Sequence, residues 1–405
     1  MEYIEVFNQL KKTITYKADR ISVNDKVIIR NFDFESKFYS ILPGGKENEI
    51  SLDNLMYCNK HKPESEVIKE LSDIKDADIT ENKNFRYHVM MPRGEIKSKN
   101  ILLFFHGFNE KFWMKYFPWA QYILEKTGKP VILFPLAFHM NRAPALWSNS
   151  KEMYSISKQR QQRYPNLIAS SFSNVAISTR LHHNPLRFIW SGFQTYYDVI
   201  ELITSIKTGL HPIIHTDAKF DIFSYSIGSL LSEILMMTNS NGYFSQSRLV
   251  SFCGGATFNN ITPVSKSILD NEAHECLLLQ LGINLENHMK KDTKLYEYME
   301  NSPEGKNFRS MLNSDTFIVY RENKFNEISE RIYAIALKKD KVFPFKEIIN
   351  TLKGRENNIP IRVDILDYPY NYSHEEPFPA KENIKHEVTE HFKKTFDLVC
   401  DFLTQ

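Results

Sequence analysis

The run Ile101-Leu-Leu-Phe-Phe105 is apolar without a break and ends after five residues at His106-Gly107. A strand with one wet face alternates apolar and polar residues, so a short uniform run suits a strand covered on both faces, as in a parallel sheet. Further strand-like segments stand at Pro130–Pro135, Phe220–Ser224, Leu249–Cys253, Arg331–Leu337 and Ile361–Leu366. Stretches with apolar residues at helical spacing lie between or after them, around Tyr116–Lys126, 191–208, Ser226–Met237 and His386–Leu403. Strands alternating with helices predict an α/β fold, a mostly parallel central sheet flanked by helices.

Phe85–Met91 predicts a further strand, and the alternating pattern begins there. Residues 1–84 hold a short strand-like run (Lys26–Arg30), a Pro-Gly-Gly turn at 43–45 and a charged stretch at 60–83. They are expected to form an N-terminal extension packed on a main domain at 85–405. Two segments break the alternation and are expected as insertions, about 138–190 and about 258–328. Insertions of that length commonly carry function.

The 51 basic and 49 acidic residues nearly cancel, which gives no electrostatic case for nucleic acid or anionic lipid as partner. The most basic stretch, Lys158-Gln-Arg160-Gln-Gln-Arg163, lacks aromatic residues and is expected as a solvated face. Cysteines 58, 253, 276 and 400 show no C-x-x-C spacing, so neither a zinc site nor a redox pair is expected. In His386-Glu-Val-Thr-Glu-His391 the histidines are five apart and face different sides of a helix, so no metal is expected. The first residues lack an apolar signal core, and no apolar run spans a bilayer. The expected setting is cytoplasmic, without membrane; oligomeric state is open.

The chemistry-bearing pattern is Phe220-Asp-Ile-Phe-Ser224-Tyr225-Ser226-Ile227-Gly228, an apolar strand that turns into an apolar helix. A serine on such a turn needs small residues two places either side. The same local pattern also arises from a serine that caps a helix. Strand, turn and helix together resemble the nucleophile elbow of the α/β-hydrolase superfamily, usually G-x-S-x-G, with Ser224 in place of the first glycine. His106-Gly107-Phe108-Asn109 after an apolar strand resembles the family's oxyanion loop.

The resemblance implies a serine hydrolase without cofactor, acting on a small-molecule acyl substrate. It implies Ser226 as nucleophile, with the backbone N–H groups of Phe108 and Ile227 as oxyanion hole. Ser224, Gly228, His106 and Gly107 would support the turn and loop, with His106 orienting the loop rather than moving protons. Asp340, after the strand ending at Leu337, matches the family's acid, although an aspartate beside lysines also suits a surface. His374, in Ser-His-Glu-Glu-Pro-Phe-Pro, matches the base. Glu375 and Glu376 remain open as its charge partner. Asn109, Arg142 and Trp147 are possible substrate contacts, and Arg142 pairing with a structural acid is the alternative. An acyltransferase on the same residues, or a binding protein that keeps the fold, are the competing functions. In the family, insertions before the acid-bearing strand commonly cap the site. Helix-like stretches at Ser265–Leu281 and Thr293–Met299 therefore predict a helical cap over Ser226 from 258–328.

Overall fold

The computed structural model describes residues 2–15, 18–48, 66–94 and 97–405. Cys58 and residues 60–65 of the charged stretch lie outside the described residues. Among those described, one nine-stranded sheet runs in the order β1-β2-β3-β5-β4-β6-β7-β8-β9. Its parallel part is β5 (Val131–Leu133), β4 (Ser98–Phe105), β6 (Ile214–Tyr225), β7 (Leu249–Phe252), β8 (Ile332–Leu337) and β9 (Arg362–Leu366). The expected α/β-hydrolase fold, a mostly parallel sheet flanked by helices, is the architecture observed.

The uniform apolar runs are strands covered on both faces: Ile101–Phe105, β5, β7 and β8 are buried throughout. Alternate residues feed two cores. Ile101, Leu103 and Phe105 join the helices Arg187–Lys207 and Ile227–Thr238. Leu102 and Phe104 join Phe117–Thr127 and Lys385–Thr404 on the other face. This is the two-residue period of a strand, written into two separate layers.

Part of residues 1–84 is built into the sheet. β2 (Val27–Glu35) pairs antiparallel with β3 (Asn84–Pro92) over its whole length, and β1 (Arg20–Ser22) adds to β2. The helix Tyr3–Thr13 packs in the second core, where Tyr3 stacks near Phe392 and Phe378.

The predicted helix Ser265–Leu281 starts later than expected. Residues 265–270 are not helical, and the helix opens at Asn271, where the Asp270 side chain accepts from the Ala273 amide. Asp270 thus caps the helix.

From β4 the chain moves out to β5 on one side, then crosses to β6 on the other. Such a switch of direction opens a crevice beyond the carboxyl ends of β4 and β6. His106-Gly107 and Ser226 stand at those two ends.

Glu233 lies on the helix Ile227–Thr238, fully buried, and neither carboxyl oxygen has a hydrogen-bond partner among the described residues. Burial pushes its pKa well above the ordinary carboxylate range. It is neutral when folded, whereas the unfolded chain ionises it near the usual value of about 4.3. Stability is therefore kept at low pH and lost as pH rises above that value. Glu233→Gln, which cannot ionise, should unfold at higher urea than the parent at pH 7.5, by about 1–3 kcal/mol. The gain should shrink towards pH 4; the same difference at both pH values would show that Glu233 is not a neutral native acid.

Candidate active site

Ser226 occupies the turn between β6 and the helix Ile227–Thr238, with φ 59° and ψ −126°. A non-glycine residue avoids that conformation, which costs on the order of 1–3 kcal/mol and needs surrounding structure to impose it. Gly228 supplies part of the constraint. A Cβ there would fall 2.8 Å from the His106 carbonyl oxygen and 2.9 Å from that of Phe105. The helix can therefore press directly on the end of β4. Gly254 does the same from β7, where a Cβ would fall 2.7 Å from the Ser226 carbonyl oxygen.

Ser224, in the place of the usual first glycine, is fully buried. Its Oγ lies 3.2 Å from Ser229 Oγ, which in turn accepts from Ser251 Oγ at 2.7 Å. Three small hydroxyls share the space, so a serine fits where bulk would not.

Ser226, His374 and Asp340 are brought together from the ends of three strands. Ser226 Oγ is 2.8 Å from His374 Nε2, and His374 Nδ1 is 2.7 Å from Asp340 Oδ2. All three are buried, at 2%, 4% and 5% exposure. The other Asp340 oxygen accepts from the amides of Val342 and Phe343 at 2.8 and 2.9 Å. Neither Glu375 nor Glu376 replaces Asp340 at Nδ1. With Nδ1–H donating to Asp340, the Nε2 lone pair faces the serine hydroxyl.

The imidazole lies between two rings, Tyr225 at 5.3 Å and Phe343 at 5.5 Å, tilted by 20° and 17°. The Tyr225 hydroxyl donates to the His374 carbonyl. Tyr225 fills a variable position of the Ser224–Gly228 pattern and Phe343 follows Asp340 without a motif of its own, so no local signal marks either.

The loop after β4 approaches the same serine. A Cβ on Gly107 would lie 3.4 Å from Ser226 Cβ, and the Gly107 amide donates to Tyr116 Oη at 3.0 Å. Tyr116 donates to Glu110, which also pairs with Lys115. His106 Nδ1 donates to the Gly107 carbonyl at 2.7 Å, and its Nε2 accepts the Leu136 amide at 3.0 Å. Burial holds this ring well below the usual histidine range, so it is neutral and fully bonded. The Phe108 amide meets no acceptor among the described residues. The Ile227 amide opens a helix, where the first N–H groups lack an intrahelical partner.

A cavity of about 480 Å³ contains Ser226, His374, Gly107, Phe108 and Asn109. Trp147, Ser148, Phe172 and Ser173 reach it from the first insertion, and Ser267 and Ile268 from the second. Residues of 258–328 thus line the space around Ser226, but the ones that do so stand in the non-helical stretch before Asn271. Asn109 (φ 57°) ties the loops together, with Nδ2 donating to the carbonyls of Ser173 at 3.0 Å and Ser267 at 2.6 Å.

Arg142 is a correction to the expected substrate contacts. It is fully buried, pairs with Asp198 at 2.8 Å and donates to Asn82 and Pro135. Its donors are committed to the fold, and it does not line the cavity.

Cys253 is the one cysteine near the site among the described residues. Its Sγ and the ligand atoms of Asp340 and His374 lie within 4.8 Å of one another, close enough for a metal group. Burial and Asp340 push the thiol pKa well up. Ligation would require a thiolate and loss of the Asp340–His374 bond.

A model of a family of unknown function, DUF6051, matches residues 1–404. The chain belongs to that family. No curated protein matches the sequence. Among solved structures the chain is similar to carboxyl esterase 2 of the fungus Tuber melanosporum (10% identity, 80% of this chain and 81% of that one, TM-score 0.44). It is similar to vibralactone cyclase (10% identity, 100% and 86% covered, TM-score 0.42). A third is a peroxisomal α/β-hydrolase of Saccharomyces cerevisiae (11% identity, 93% and 91% covered, TM-score 0.36). No helix of the described residues is long and apolar enough to cross a membrane.

Arg142→Ala leaves the Asp198 carboxylate buried without its cation. It should lower stability by about 3–5 kcal/mol in urea unfolding; an unchanged midpoint would restore Arg142 as a candidate ligand residue.

Proposed function

We propose that this protein is a serine hydrolase that cleaves an ester or related acyl bond through a covalent acyl-enzyme. The observation that carries it is the hydrogen-bonded chain from Ser226 Oγ through His374 to Asp340 Oδ2, on a strained turn at the switch point of the sheet.

Ser226 Oγ attacks the substrate carbonyl carbon while His374 Nε2 takes the hydroxyl proton. The carbonyl oxygen becomes an oxyanion, held by the amides of Phe108 and Ile227. Asp340 keeps the imidazole in the tautomer that can accept and stabilises the imidazolium. Collapse breaks the bond to the leaving group, which departs with the proton from His374. Water then attacks the acyl-serine, gives a proton to Nε2, and releases the acid as Ser226 recovers it. Trp147 and the loops at 172–173 and 267–268 cover the substrate from the two insertions, and Asn109 does so from the loop after β4.

Ser226→Ala should fold as the parent does, lose fluorophosphonate labelling and lose turnover of short-chain p-nitrophenyl esters. His374→Ala should cost as much as Ser226→Ala, because such residues act as a unit, and Asp340→Asn about 10⁴-fold in kcat. Peptide mapping of the labelled wild type gives the check. A probe adduct on a serine other than Ser226, or full activity in Asp340→Asn, sinks the assignment.

A further inference from the structure

A second, smaller cavity shares Phe108 with the first as a lining residue. Ile227 lines it too, with Leu230 and Leu231 from the same helix and Phe188 and Phe308 opposite. Gly192 keeps the Phe308 side closed, because any side chain there would collide with the ring. The two residues whose amides face a developing oxyanion thus also form a wall of this cavity. The larger cavity bears Glu110, Lys111, Lys115 and Glu375; no charged group other than a histidine stands among the residues lining the smaller one. An apolar acyl chain attached to Ser226 is better received by the smaller. Its volume is about 60 Å³. At the ~10–15 Å³ that one water-sized group needs, this is room for roughly four to six such groups, a short chain.

One atom is out of keeping with those walls. His139 lines the cavity and is 7% exposed, and its Nε2 is buried with no partner among the described residues. His139 Nδ1 lies 2.8 Å from the Ala137 carbonyl oxygen. That carbonyl can only accept, so Nδ1 carries the proton and Nε2 keeps a free lone pair. The neighbouring hydroxyls are already satisfied: Thr195 Oγ1 donates to Ser191 O and accepts from the Ala137 amide, and Ser191 Oγ donates to Phe188 O. Burial pushes His139 down to about 4, so at neutral pH the ring is uncharged and Nε2 remains an acceptor. A buried acceptor without a donor is costly, and a site that presents one discriminates strongly for ligands that complete it.

We propose that the smaller cavity receives the acyl part of a short ester, and that His139 Nε2 accepts a hydrogen bond from a hydroxyl or N–H carried on that acyl group near its carbonyl carbon. This rests on Ser226 being the acylated residue. His139 is then a specificity-determining residue: the preferred substrates are short hydroxylated or amino-substituted acyl esters rather than plain fatty ones.

The test compares kcat/KM of the wild type on p-nitrophenyl butyrate, 2-hydroxybutyrate, 3-hydroxybutyrate and octanoate. One of the hydroxybutyrates should exceed butyrate by about tenfold or more, and octanoate should fall below butyrate by a similar factor. In His139→Phe, which keeps the ring and removes the acceptor, the hydroxyl preference should collapse to within about twofold. The readout is the ratio within each protein, so a change in overall rate does not blur it. His139→Gln, whose side-chain carbonyl can accept, should retain part of the preference. Equal use of butyrate and both hydroxybutyrates by the wild type overturns the proposal whether or not the variants fold, as does an undiminished preference in a folded His139→Phe. Turnover of none of the esters, with no fluorophosphonate adduct on Ser226, overturns the acyl-enzyme reading and this one with it.

Discussion

The backbone of Ser226 is the point on which the rest of the site depends. A serine with φ 59° and ψ −126° is held only because its surroundings leave no lower-energy alternative. The constraint comes from close backbone approach. Gly228 lets the following helix meet the carbonyls that end β4, and Gly254 lets β7 close on Ser226 from the other side. The parallel register of β4, β6 and β7 then delivers the His106-Gly107 loop and the serine to the same place. Any relaxation of the turn would move the hydroxyl away from His374 Nε2 and the Ile227 amide away from the cavity together.

The two long insertions converge on a single side chain. Asn109 follows Phe108 directly and bonds the carbonyls of Ser173 and Ser267, which lie 64 and 158 residues away in sequence. Movement of either loop is therefore transmitted to the residue next to the Phe108 amide. The bulk of the second insertion lies elsewhere: its helices Asn271–Leu277 and Pro303–Leu312 pack on Val175–His183 and Ile227–Thr238. Only Phe308 turns inward to the smaller cavity.

The strands buried on both faces were legible in the sequence because nothing on them needs to face water, and five-residue apolar runs have few other uses. Ser226, His106 and Asp340 were legible because each follows a strand with a buried apolar core, whereas His374 stands well beyond the more polar β9 and was legible from the Ser-His-Glu-Glu-Pro-Phe-Pro segment. β1 was not, because three residues on an edge bury a single side chain. Composition does not mark the start of the helix at Asn271, since Ser265–Asp270 suits a helix as well, and the Asp270 cap sets it. Arg142 shows the harder limit. Its partner Asp198 is 56 residues away, and no local pattern separates an arginine that binds a ligand from one that neutralises a distant acid. His139 is the converse case, since its importance comes from a partner it lacks.

The two rings that flank His374 bear on more than its position. The imidazole is packed nearly parallel to both Tyr225 and Phe343, so swinging out of its plane means unstacking it from each. When the ring takes up a proton, its positive charge lies against two electron-rich π faces as well as the Asp340 carboxylate. In the proposed reaction the two rings give the imidazolium an aromatic neighbour on each side, so replacing either by an aliphatic side chain would keep apolar bulk beside His374 and remove a π face.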